Sequence, residues 1–166
     1  MESCGPLAIE EQLSFKNLFE SLLRAAKDLE ETLGSELMGL VLFGSWARGE
    51  ASKDSDVDIF VVLKSLKGME ARSTIYRVIA RHVGRALTLV DMRADEVFGE
   101  KVELTPLLLN ILSDGIIIYD GTGRLSALME KTRRLMDEAK LVRYRTPDGK
   151  YGWKKLGDGP LTKVEL

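Results

Sequence analysis

This 166-residue chain has one cysteine, Cys4, and one histidine, His82. A single thiol excludes an internal disulfide. One thiol and one imidazole also leave no Cys/His cluster to hold zinc. His82 stands among Arg77, Arg81 and Arg85 and reads as a solvated helix residue rather than a catalytic base. No stretch approaches 18 consecutive apolar residues, so no membrane span is expected. The first residues show no basic region followed by an apolar run, so no signal peptide is expected, and a cytoplasmic location is. A large excess of one charge is missing too. The formal net charge is −2, which gives no support for nucleic-acid binding through charge alone. The phosphate loops GxxxxGK[ST] and GxGxxG are both absent.

What is present suffices for one domain with a real core, since 45% of the residues are hydrophobic. Charge is unevenly placed. Residues 1–123 hold 13 Lys+Arg against 20 Asp+Glu, a net of −7; residues 124–166 hold 11 against 6, a net of +5. Leu18, Leu22, Ala25, Ala26 and Leu29 recur at helical spacing and predict a helix over 7–33, with Gly34 as its stop. Short apolar runs predict strands over 37–43, 57–63, 86–91 and 116–119. Helices are predicted near 69–83, 94–99, 103–113 and 123–141, and a short one from Ser45 to about Gly49. The strands are continuous apolar runs without polar alternation, which favours a sheet covered by helices on at least one face. The expected fold class is α/β (α+β), a small mixed β-sheet flanked by helices. The expected division is a core with its N-terminal helix over 1–122, then a C-terminal helix and basic tail over 123–166. The stretch YRTPDGKYGWKKLGDGPLTKVEL has no clear period and reads as a tail or a docking arm.

The chemistry concentrates in LMGLVLFGSWARGEASKDSDVDIFVVL, from Leu37 to Leu63. Asp56 and Asp58 are two apart at the head of a strand, so both point to one face. Two like charges held that close call for a positive charge between them. Oxygen ligands suit Mg²⁺, with Mn²⁺ as a second choice. Asp-x-Asp by itself is common at surface turns. Asp91 ends the third predicted strand and, if that strand neighbours the second, supplies a third carboxylate; three could hold two cations, or one cation plus an activated hydroxyl. Asp95 and Glu96 compete for that place, but they fit the first turn of a helix better. Gly44 follows a strand where the chain must turn sharply. Ser45 adds a hydroxyl, and backbone amides there can face a phosphate. Arg48 is a candidate to neutralise phosphate charge, or equally to pair with Glu50 or Asp54. Trp46 reads as a packing residue, while Asp54 and Lys53 read as solvated loop residues. The chemistry matching this set is nucleotidyl transfer from an NTP with loss of pyrophosphate.

The segment GSWARGEASKDSDVDIFVV, with ten residues between Gly44-Ser45 and Asp56-Val57-Asp58, resembles the polymerase-beta-like nucleotidyltransferase superfamily. The form GSxARGxxxxxSDxD is most similar to the minimal nucleotidyltransferases, or MNT proteins. LTLVDM resembles the strand that supplies the third metal ligand, and ILSDGIIIYDG resembles a segment that closes many minimal domains. The resemblance spans roughly residues 15–122. It implies a Mg²⁺-dependent enzyme using ATP or another NTP. Asp56, Asp58 and Asp91 would be its metal-binding and catalytic residues, and Gly44, Ser45 and Arg48 its nucleotide-binding ones. It also implies a small helical HEPN-type partner in a toxin–antitoxin module, with AMP transferred to a partner tyrosine. The chain is small for recognising a large acceptor unaided, which leaves a protein partner or self-association to complete the cleft. Aminoglycoside-type transfer to a small molecule and a non-catalytic antitoxin are the rival functions. Tyr144, Tyr151 and Trp153, interspersed with Arg145, Lys150, Lys154 and Lys155, suit a protein interface; nucleic acid is possible but not favoured.

Overall fold

The computed structural model describes residues 6–157 and 164–165. Cys4 lies outside them. Helix α1 (Pro6–Leu33) leads through a single 3-10 turn into β1 (Leu37–Phe43). A four-residue helix, α2 (Gly44–Ala47), and a polar loop connect β1 to β2 (Val57–Leu63). Then come α3 (Met69–Val83), β3 (Leu87–Arg93), α4 (Ala94–Phe98), the two-residue β4 (Glu103–Leu104), α5 (Pro106–Asp114), β5 (Ile116–Asp120) and α6 (Arg124–Glu138). The chain continues through β6 (Leu141–Arg145) and β7 (Tyr151–Lys155) to β8 (Val164–Glu165).

The main sheet has the order β3-β2-β1-β5. Strand β1 runs antiparallel to both its neighbours, while β2 and β3 are parallel. The sheet is therefore small and mixed, as the apolar runs and the resemblance imply. Its two middle strands are covered on both faces, which is why they read as unbroken apolar runs. On one face Leu40, Leu42, Ile59 and Val61 meet Leu22 and Leu29 of α1 and Ile75 and Ile79 of α3. On the other, Val41, Phe43, Phe60 and Val62 meet Leu109 and Leu112 of α5 and Leu125 and Met129 of α6. Every residue of β1 and β2 is buried except Asp58, which is half-buried.

The third strand starts one residue later and ends two later than the apolar pattern predicts. The helix expected from 103 begins instead at Pro106. Proline is suited to a first helical position because its missing N–H has no partner there, and the Thr105 hydroxyl accepts from the Leu108 amide at 3.2 Å. His82 is half-buried and lies 2.7 Å from Asp28, tying α3 to α1. The stretch after residue 140 forms an antiparallel hairpin, with Arg143 opposite Trp153 and Arg145 opposite Tyr151. Its turn, Thr146-Pro147-Asp148-Gly149, is closed by the Gly149 amide on the Thr146 carbonyl at 2.8 Å. Trp153 is buried in the second core, and its indole donates to Asn110 of α5 at 3.0 Å.

Candidate active site

Strands β1 and β2 are antiparallel, so the end of one meets the start of the other, and Phe43 pairs with Asp58. The next residue, Gly44, turns the chain with φ +72. A Cβ on Gly44 would lie 2.1 Å from Asp58 Oδ2, well inside contact distance. Glycine is needed there twice, for its dihedral and for the space that the Asp58 carboxylate occupies. The turn is closed by the Arg48 amide on the Gly44 carbonyl at 3.2 Å and the Glu50 amide on the Ser45 carbonyl at 2.9 Å. Trp46 is buried in the core, as a packing residue would be, and its indole donates to the Ser55 carbonyl at 3.3 Å.

The alternation of β2 sets Asp58 on the face of Phe60 and Val62, with Asp56 just ahead of the strand on the same side. Asp56 is exposed. Burial pushes the Asp58 carboxyl up from its ordinary pKa, and the nearby charge of Asp56 adds to this; a hydrogen bond from Thr88 and the charge of Arg48 act against it. Arg48 therefore acts on Asp58 and is also ion-paired with Glu50 at 2.9 Å.

Asp91 does not join them. Strands β2 and β3 pair in parallel with Asp58 opposite Thr88 and Val61 opposite Asp91. Residues in register share a face. Asp91 thus lies on the side of Val61 and Leu89, toward α3, where Arg72 holds it in an ion pair and also donates to the Leu89 carbonyl. The sheet separates it from Asp58. An offset of three residues from Thr88 is odd, and an odd offset reverses the face. The expectation of a third carboxylate at Asp91 is corrected on this geometry. Asp95 and Glu96 sit in the first turn of α4, where the Arg93 amide donates to Glu96 at 2.8 Å. Among the described residues no group of three His, Cys, Asp or Glu is placed to hold a metal. The residue opposite Asp58 is Thr88, whose hydroxyl donates to its carboxylate. Sequence reasoning missed Thr88, Arg72 and the approach of the hairpin, where Tyr151 donates to Glu50 at 3.1 Å.

The main sheet is mixed, and its two middle strands carry their polar residues at one end, beside the glycine turn, in a helix-covered α/β fold. More particularly, the family model described as "Polymerase beta, Nucleotidyltransferase" matches residues 27–123, more than half the chain, and the chain belongs to that family of nucleotidyltransferase enzymes. Among curated proteins it is similar to two candidate protein adenylyltransferases of Methanocaldococcus jannaschii. One is 27% identical over 131 residues, covering 76% of this chain and 86% of the relative. The other is 29% identical over 65 residues, covering 39% and 66%. Among solved structures, a toxin–antitoxin crystallised with AMP-PNP is 20% identical, with a TM-score of 0.49 over 70% of this chain and 90% of its own. A tri-AMPylated Shewanella oneidensis HEPN toxin in complex with an MNT antitoxin gives 18%, a TM-score of 0.46, and 72% and 91% coverage.

Proposed function

We propose that this chain transfers AMP from ATP to a hydroxyl of a protein acceptor, and that Asp56, Asp58, Gly44, Ser45 and Arg48 carry the reaction. The observation that supports the reading best is the close packing of Asp58 against the Gly44 turn, which sets a carboxylate pair beside backbone and a hydroxyl suited to phosphate. The site fits one hard divalent cation. Mg²⁺ is commonly held by one or two carboxylates together with substrate phosphates, and Asp56 and Asp58 are such a pair, with burial and then the charge of Asp56 pushing the Asp58 carboxyl up. Mg²⁺, or Mn²⁺ in its place, would neutralise the triphosphate and orient it. The protein's own groups do the rest: Ser45 and the amides of its turn hold phosphate oxygens, and Arg48 offsets charge on the leaving group.

In this reading the acceptor oxygen bonds to the α-phosphorus of ATP. The bond from that phosphorus to the oxygen bridging the β-phosphate breaks, pyrophosphate leaves, and the acceptor proton goes to solvent. With Asp91 on the far face and Thr88 opposite Asp58, strand β3 supplies no carboxylate to take that proton. A tyrosine phenol, with a pKa near 10, loses it more readily than an aliphatic hydroxyl. The names of the archaeal relatives favour a protein acceptor over a small molecule. A tyrosine of a HEPN-type partner is the acceptor that the MNT resemblance and this chemistry jointly favour.

The test is transfer of label from α-labelled ATP with Mg²⁺ in extract of the source organism, with Asp56→Ala/Asp58→Ala alongside. A labelled protein that disappears with the double variant is expected. Label that persists with the variant, or label on no macromolecule, would overturn the reading.

A further inference from the structure

The β6–β7 hairpin lies wholly outside residues 27–123, the part that the family model covers. It is nevertheless built against the candidate site. The Arg48 guanidinium sits 4.7 Å from the centre of the Tyr151 ring, Arg143 sits at 5.2 Å, and Arg145 at 5.7 Å. The Tyr151 hydroxyl donates to both oxygens of Glu50 at 3.1 Å, and Glu50 is the ion-pair partner of Arg48. Three cations thus surround one phenol ring, and one of them, Arg48, is the group whose charge also acts on Asp58.

The three arginines are not equivalent. Arg143 is a brace: it is paired with Asp114 and donates to Asn110 and Ser113, all on α5, so the hairpin is pinned at the middle of β6. Arg48 is paired with Glu50. Arg145 is exposed and donates only to the Gly149 carbonyl of its own turn at 3.3 Å, and among the described residues it forms no ion pair. Its charge reaches Glu50, whose pKa is lowered first by Arg48 and also by the Tyr151 hydroxyl and Arg145. The hairpin therefore brings one cation without an ion-pair partner, among the described residues, to the Tyr151 ring beside Arg48, whose charge acts on Asp58.

Resting on the nucleotidyl-transfer reading above, we infer that this hairpin is a wall of the nucleotide site. Arg145 binds the polyphosphate end of the nucleotide beside Arg48, and Tyr151 is a positioning residue that holds Arg48 and Glu50 in place. A nucleoside triphosphate is the ligand class that fits, because its β- and γ-phosphates bring the charge that Arg48 and Arg145 answer, while its α-phosphate belongs at the aspartates. The arrangement would make the protein discriminate triphosphate from monophosphate through a segment that its family region lacks.

The test is equilibrium binding of ATP and of AMP, each with Mg²⁺, to the full chain, to Arg145→Gln, to Tyr151→Phe and to Asp56→Ala. Arg145→Gln should weaken ATP about tenfold or more and leave AMP unchanged. Tyr151→Phe should weaken ATP in the same direction by less. Arg145 is exposed and Gln keeps much of its length, so folding is preserved, and a melting curve checks it. Arg145→Gln binding ATP like the full chain, or losing ATP and AMP equally, would overturn the inference. So would normal ATP binding accompanied by weaker label transfer to the protein acceptor, which would assign the hairpin to the acceptor. If the unmodified chain does not bind Mg²⁺–ATP, the transfer reading itself falls; if Asp56→Ala loses ATP and Arg145→Gln does not, only the hairpin assignment falls.

Discussion

Thr88 occupies the place opposite Asp58 where a third carboxylate would complete a two-cation site. Its hydroxyl can donate to Asp58 but adds no carboxylate, so this face carries two carboxyl groups, Asp56 and Asp58, rather than three. Thr88→Asp should therefore tighten Mn²⁺ binding by about tenfold, read by calorimetry, since an added ligand carboxylate raises affinity for a hard cation. The same change places a third like charge beside the pair and should lower the melting temperature without metal, with Mn²⁺ restoring it. Asp91→Asn should leave Mn²⁺ affinity where it is, because Asp91 faces α3 and Arg72. A loss of Mn²⁺ affinity in Asp91→Asn comparable to that of Asp56→Ala would show that the far face takes part. Position 88 is legible only once the register is known. Threonine in a strand is otherwise ordinary, and nothing in LTLVDM marks it apart from its offset of three from Asp91.

At the scale of elements, the junction between β5 and α6 depends on one side chain. Asp120 accepts from the Gly123 amide at 2.9 Å, and from the Ser126 amide and hydroxyl at 2.8 and 2.7 Å, so it satisfies the open N-terminal groups of α6. Burial alone would raise its pKa, but these hydrogen bonds, led by the Ser126 hydroxyl, outweigh it and leave the carboxyl below its ordinary range. A depressed carboxyl contributes stability that is complete above its unfolded pKa, near 4, and is lost as pH falls through the folded value. Asp120→Asn, which removes the charge that strengthens these hydrogen bonds, should cost about 1 kcal/mol at pH 7. The difference in melting temperature should close as pH is lowered below 4; a difference that persists at the lowest pH would show that charge is not the cause. The β6–β7 hairpin, in contrast, escaped the pattern of the sequence. Its turn, Thr146-Pro147-Asp148-Gly149, carries the Pro-Asp-Gly signal of a tight turn. The flanking LVRYR and YGWKK are too charged to read as strands, and they are strands because Trp153 and the Arg143 network anchor them on α5.

For the molecule as a whole, two cores stand back to back across one sheet, and α1 supplies a large part of the first. Leu22 and Leu29 are fully buried there, and Leu22 lies ahead of the matched family region. Leu22→Ala should destabilise the fold by about 2–5 kcal/mol, the usual cost of deleting a buried leucine side chain, measured by urea unfolding. A loss under about 1 kcal/mol would mean that α1 is an appendage rather than part of the core. Residues 124–155 likewise feed the second core through Leu125, Met129, Met136 and Trp153, so the basic C-terminal part is packed on the sheet through most of its described length.

Local pattern was enough to place β1, β2, α3 and the Asp56/Asp58 pair. Continuous apolar runs mark strands buried on both faces, helical spacing marks α1 and α3, and a period of two puts alternate residues of one strand on one side. Gly44 could be singled out as a turn from its position after a strand, though not as the residue whose missing Cβ admits Asp58. What depends on a neighbouring strand or a distant segment was settled only by the tertiary structure. The face of Asp91 follows from its pairing register with β2, and its partner Arg72 comes from another element. The meeting of Tyr151 with Arg48 and Glu50 joins residues about a hundred positions apart in the chain. Periodicity along a chain carries the direction of a side chain relative to its own neighbours; which charges then meet across strands is decided by register and packing, and a one-residue shift in either reverses the answer.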